Sequence, residues 1–117
     1  NLHNARRGPS PILNIVGDHA TQHLRFDTPL ASDVAAIAAP VSHWVHTVRT
    51  GESPAAAVAS ALEIARSGPG RVATLILPAD LSWLPSSTAP LRLVAATTQP
   101  VPGVRPAAAA LKQDGAM

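Results

Sequence analysis

The sequence predicts an α/β fold: a partial parallel sheet of three strands with helices on its faces. Three observations point to it. Segments that read as strands recur at Ile12–Val16, His43–Val48 and Val72–Leu77, and segments of helical period lie between them. The run ILNIV is nearly continuous rather than alternating, as in a strand buried on both faces of a parallel sheet, and VATLIL reads as another buried strand. Finally, the apolar share is 46% but aromatics are only 3%, so the core must be built from Ala, Val, Leu and Ile. Small side chains of that kind suit helices packed closely on a sheet.

Residues 1–7, NLHNARR, read as the end of a helix, stopped by Gly8-Pro9-Ser10-Pro11. Residues 12–16, ILNIV, read as a central strand that ends in Gly17-Asp18-His19; Asn14 then needs a polar partner inside. Residues 20–31 lack periodicity and read as a loop with one short helical turn. Ser32 is the expected cap of a short helix, with Asp33 in its first turn and Val34, Ile37 and Ala38 on one face, and Pro40 ends it. Ser53 at the N-cap and Pro54 at the first helical position open the clearest helix. Its apolar stripe is Ala57, Val58, Ala61, Leu62 and Ala65. Gly68 and Pro69 close it.

Prolines 85, 90, 100 and 102 mark residues 84–105 as an extended linker, and Pro106 to Lys112 reads as the start of another helix, over residues 106–117. Three strands and two crossover helices leave sheet edges uncovered. The chain is therefore expected to be a piece of a longer protein.

Several function classes are disfavoured. No cysteine is present, which removes disulfides and Cys-based metal sites and fits a reducing compartment. The net charge is only +2 and no run of Lys or Arg occurs, so nucleic acid is not an expected partner. No apolar run approaches the ~20 residues of a membrane helix, and no secretory leader is evident, so a cytoplasmic protein without a membrane partner is expected. No phosphate-loop spacing and no GxSxG elbow is found.

Ligands of open parallel sheets gather beyond the carboxyl ends of the strands. Here those ends are Gly17-Asp18-His19, Arg49-Thr50-Gly51 and Pro78-Ala79-Asp80, and Gly17, Asp18 and His19 are the first site candidates. His19 and His23 have the i,i+4 spacing of a metal pair, but the segment lacks helical periodicity and no Glu follows in an HExxH pattern; a polar loop at a pocket mouth is the expected role. His43 and His46, three apart in a strand, point to opposite faces and do not share a metal. Glu52 and Glu63 are expected to be solvated. Trp44 and Trp83 are expected to pack.

The segments NLHNARRGPSPILNIVGDHA, FDTPLASDVAAIAAPVSHWVHTV and ALEIARSGPGRVATLILPADLSW resemble the second half of the pyrimidine-binding (PYR) domain of thiamine-diphosphate enzymes of the acetolactate synthase type. The third is the most specific, resembling the family's SGxPGPVxLxIPxDV. The resemblance spans about residues 1–83, with the linker and the first helix of a central domain to follow. It implies thiamine diphosphate and Mg²⁺ as cofactors, with FAD a further candidate, and decarboxylation of a 2-oxo acid followed by C–C bond formation, as in branched-chain amino acid biosynthesis. It also implies a homodimer or homotetramer. Gly17, Asp18 and His19 fall near the cofactor; His23, Pro29 and Leu30 fall in the loop that approaches the substrate. The family's activating glutamate lies upstream of the matched region, so no catalytic residue and no metal ligand is assigned. This piece alone is expected to be inactive. Many members read Phe-Gln where this chain has Pro29-Leu30. That departure leaves open a thiamine-diphosphate decarboxylase or lyase of the oxalyl-CoA or benzoylformate type. A non-enzymatic α/β interaction domain is the third reading.

Overall fold

The structure is a computed structural model that describes residues 1–85 and 109. The predicted linker, from residue 86, and the helix predicted after it lie outside the described residues, apart from Ala109. Six regular elements follow one another: α1 (Leu2–Arg7), β1 (Ile12–Asp18), α2 (Val34–Ala38), β2 (Trp44–Thr47), α3 (Pro54–Arg66) and β3 (Val72–Pro78). Short 3₁₀ turns occupy Leu24–Phe26, Ala39–Val41 and Ala79–Ser82.

The three strands form one parallel sheet in the order β1-β3-β2. Ile12 to Asp18 pair with Val72 to Pro78, and Trp44 to Thr47 with Ala73 to Ile76. The α/β expectation is therefore met, with one correction. The run ILNIV reads as a central strand, but among the described residues β1 is at an edge and β3 is central. Burial follows that order. Val72, Thr74, Leu75, Ile76 and Pro78 are almost wholly buried, whereas Ile15 of β1 is 56% exposed.

The helix α3 forms where the sequence places it. Ser53 Oγ accepts the Ala56 N–H, and Pro54 occupies the first turn, where its missing N–H costs nothing. Ala57, Ala61 and Ala65, spaced four apart, are its buried residues. Their small side chains let the helix lie close on Ala73 and Leu75, with Leu13 and Trp44 packed at the sides. Each buried methyl contributes about 0.8 kcal/mol. The alternate residues of β3 point the other way, and α1 and α2 also contact this strand.

The helix α2 starts one residue later than expected. Asp33, not Ser32, is its cap, and its carboxylate accepts the Ala36 N–H at 2.9 Å. Of the predicted face, Ala38 is buried but Ile37 is 66% exposed, because a five-residue helix turns too briefly to bury a full stripe. Arg6 secures the entry to β2: one guanidinium nitrogen donates to the carbonyls of Ala39, Pro40 and Ser42 at 3.2, 2.9 and 2.8 Å. Asn14 finds the partner it needs: its amide donates to Thr74 Oγ1 at 3.2 Å, and Thr74 also bonds Ser42 Oγ at 2.7 Å.

Candidate functional site

Parallel strands bring their carboxyl ends to one side, and here β1 and β3 end in register at Asp18 and Pro78. The chain leaves β1 in the loop before α2 and leaves β3 in the 3₁₀ turn Ala79–Ser82. Between these two exits lies an open cleft of about 480 Å³. Gly17, Asp18, His19, Ala20, His23, Leu30, Ser32, Val34, Ala79 and Trp83 line it. Five of the six sequence-predicted site residues therefore meet in one place. Pro29 does not line the cleft; it sits behind Leu30 in the turn closed by the Ala31 N–H bond to the Thr28 carbonyl at 2.8 Å.

Gly17 contributes open space. A Cβ added there would meet nothing within 4 Å, so packing does not demand a glycine. The Asp18 carboxylate is engaged locally, accepting the His19 N–H at 2.7 Å. Leu30 is 90% exposed and holds a positive φ of 134°. Such backbone is costly for a side chain with a Cβ and is found most often at functional sites. Trp83, expected to pack, is instead 78% exposed at the opposite lip. The cleft walls are thus mainly apolar, and no Lys or Arg lines them.

One contact beside the cleft was not foreseen from the sequence, which placed Asp80 at a strand end but assigned it no partner. Asp80, just past β3, accepts the Thr21 hydroxyl at 2.6 Å and the Thr21 N–H at 3.0 Å. These bonds, the hydroxyl first, hold its carboxyl below the usual value. Its position in the Pro78-Ala79-Asp80 turn was the available signal.

The remaining histidines stand apart. His43 Nδ1 accepts the Val72 N–H at 3.0 Å. His46 pairs its Nε2 with Glu52 Oε1 at 2.8 Å and stacks on Trp44. Glu52 is therefore not merely solvated. The Arg49 N–H, bonding its other oxygen at 3.1 Å, is the main cause of its lowered pKa, with His46 adding to it. Among the described residues no three His, Cys, Asp or Glu side chains are grouped to hold a metal. No helix among them is long and apolar enough to cross a membrane.

No protein-family model matches the chain. It is 48% identical over 83 residues to the putative acetolactate synthase large subunit IlvX of Mycobacterium tuberculosis. The match takes in 71% of this chain but only 16% of that relative. The chain thus spans about a sixth of the protein it resembles, and an acetolactate synthase-like relationship is what the similarity supports.

Proposed function

We propose that this chain forms part of the pyrimidine-binding domain of a thiamine-diphosphate-dependent enzyme that acts on 2-oxo acids in the acetolactate synthase manner. The observation that carries the reading is the 48% identity to the acetolactate synthase-like relative. The cleft at the carboxyl ends of β1 and β3 supports it, because that is where open parallel sheets receive ligands. In this reading residues 1–83 belong to that domain, 84–105 link it to a central domain, and the helix of 106–117 begins the latter. The working enzyme is a homodimer or homotetramer in the cytoplasm.

The described residues do not fit the charged half of the cofactor. A diphosphate needs cationic side chains, a metal or convergent N–H groups. The cleft is lined by no Lys or Arg, and no metal-holding cluster is grouped among the described residues. What the cleft offers is an apolar wall, from Leu30, Val34 and Trp83, beside the open floor at Gly17. The diphosphate, the Mg²⁺ and any FAD fall to other parts of the longer protein. The 117-residue chain alone is accordingly expected to be inactive and to bind thiamine diphosphate negligibly. Calorimetry showing micromolar binding to it would overturn that expectation.

The test of the main reading is an assay of the whole protein that contains this chain, with pyruvate, thiamine diphosphate and Mg²⁺. Formation of acetolactate supports the proposal. Carbon dioxide release without acetolactate favours a decarboxylase of the same cofactor class. No turnover of any 2-oxo acid, with no binding of the cofactor, returns the chain to the class of interaction domains.

A further inference from the structure

The two walls of the cleft come from distant parts of the chain. The loop after β1 carries His19, His23 and Leu30; the turn after β3 carries Ala79 and Trp83. From Gln22 to Asp27 every residue of the loop is exposed, so burial does not hold that stretch in place. What ties the loop to the opposite wall is Asp80. Its Oδ2 accepts the Thr21 hydroxyl at 2.6 Å and its Oδ1 the Thr21 N–H at 3.0 Å, across 59 residues of sequence. Ala20, next to Thr21, is 5% exposed, which fixes the same point from beneath.

We propose that Asp80 is the positioning residue of this cleft: its two-point grip on Thr21 sets where the loop presents His19 and His23 to a bound ligand. The two bonds use separate carboxylate oxygens, so an amide at this position keeps one acceptor and loses the other. Bonds to an ionised acceptor are about twice as strong as neutral ones, and an aspartate carboxyl is ionised at neutral pH. Neither Asp80 nor Thr21 belongs to the buried clusters beneath α3, so the grip acts on the loop and not on the sheet. The grip itself stands on the geometry; its use in catalysis rests on the function proposed above.

Thr21→Val removes the hydroxyl and keeps the shape, and Thr21→Ser restores the hydroxyl. In the 117-residue chain, amide hydrogen exchange over residues 21–26 is expected to speed up about tenfold in Thr21→Val, the scale of one lost hydrogen bond. The β3 amides are expected to keep their rates, and Thr21→Ser to return the loop close to its original behaviour. In the whole protein, with pyruvate as the probe, Thr21→Val is expected to raise KM by a larger factor than it lowers kcat, and Thr21→Ser to recover both. Unchanged loop exchange in Thr21→Val overturns the grip, and so does equal acceleration throughout β3. A loosened loop with an unaltered KM overturns its role in ligand presentation. An unmodified protein that turns over no 2-oxo acid counts against the proposed function alone, and the exchange rates then still decide the grip.

Discussion

Gly70 lies so close against Pro11 that a Cβ on it would come within 2.8 Å of the Pro11 nitrogen and 2.9 Å of its Cδ. The Pro9 carbonyl oxygen stands at 2.9 Å from the same point, and Gly70 has a φ of +114°. The turn that leads into β1 is thus seated on the turn that leads into β3. Gly70→Ala is expected to lower stability by about 2 kcal/mol, from backbone strain and the forced shift of Pro11. Thermal unfolding followed by circular dichroism should show a midpoint about 10 °C lower.

Gly17 is the opposite case. Its φ is not in the left-handed region and nothing crowds it. Gly17→Ala is expected to leave the chain as stable as before, or more stable by up to about 1 kcal/mol, because it lowers the entropy of the unfolded state. The residue lines the cleft, where an added methyl has room. In the whole protein it should therefore weaken binding or turnover while the unfolding midpoint holds. A fall in stability would show that the fold, and not the cleft, needs this glycine.

The polar ladder across the sheet carries a third expectation. Thr74 is 0% exposed and bonds both Asn14 and Ser42, the latter 5% exposed. Thr74→Val leaves the Ser42 hydroxyl and the Asn14 amide without this partner, at a cost of about 1–3 kcal/mol. Adding Ser42→Ala removes one orphaned group and should recover part of the loss. Denaturant titration of the two single variants and the double variant measures the coupling.

Acid should loosen two turns. Hydrogen bonds from Thr21 hold Asp80 below its ordinary pKa, and the Arg49 N–H, followed by His46, does the same for Glu52. A carboxyl whose folded pKa is depressed stabilises the fold fully above its unfolded value, about pH 4. That contribution is lost as the pH falls through the lower, folded value. Unfolding midpoints recorded from neutral pH downward should decline in that acid window. Asp80→Asn and Glu52→Gln should each flatten the decline, and an unchanged slope would show that the two contacts do not form in solution.

Local chemistry was legible. The Ser53-Pro54 start and the alanine stripe at four-residue spacing specify α3 without reference to the rest of the chain, and the run from Val72 reads as a buried strand, which β3 is. The site candidates Gly17, Asp18 and His19 followed from the rule that strand ends collect ligands, whereas His23, Pro29 and Leu30 came only from the family resemblance; all of these but Pro29 line the cleft. Where two neighbours offered the same chemistry, the reading slipped by one. Ser32 and Asp33 both can cap, and only the helix geometry selects Asp33.

What the sequence determined by itself is the set of elements and their order, because propensity, capping and periodicity act over a few residues. Tertiary structure alone decided which strand is central, that Trp83 stands open at a cleft instead of packing, and that Asp80 takes Thr21. Those outcomes depend on partners brought together across tens of residues. A run such as ILNIV is equally apolar at an edge or at the centre of a sheet, and a carboxylate carries no mark of the hydroxyl it will meet.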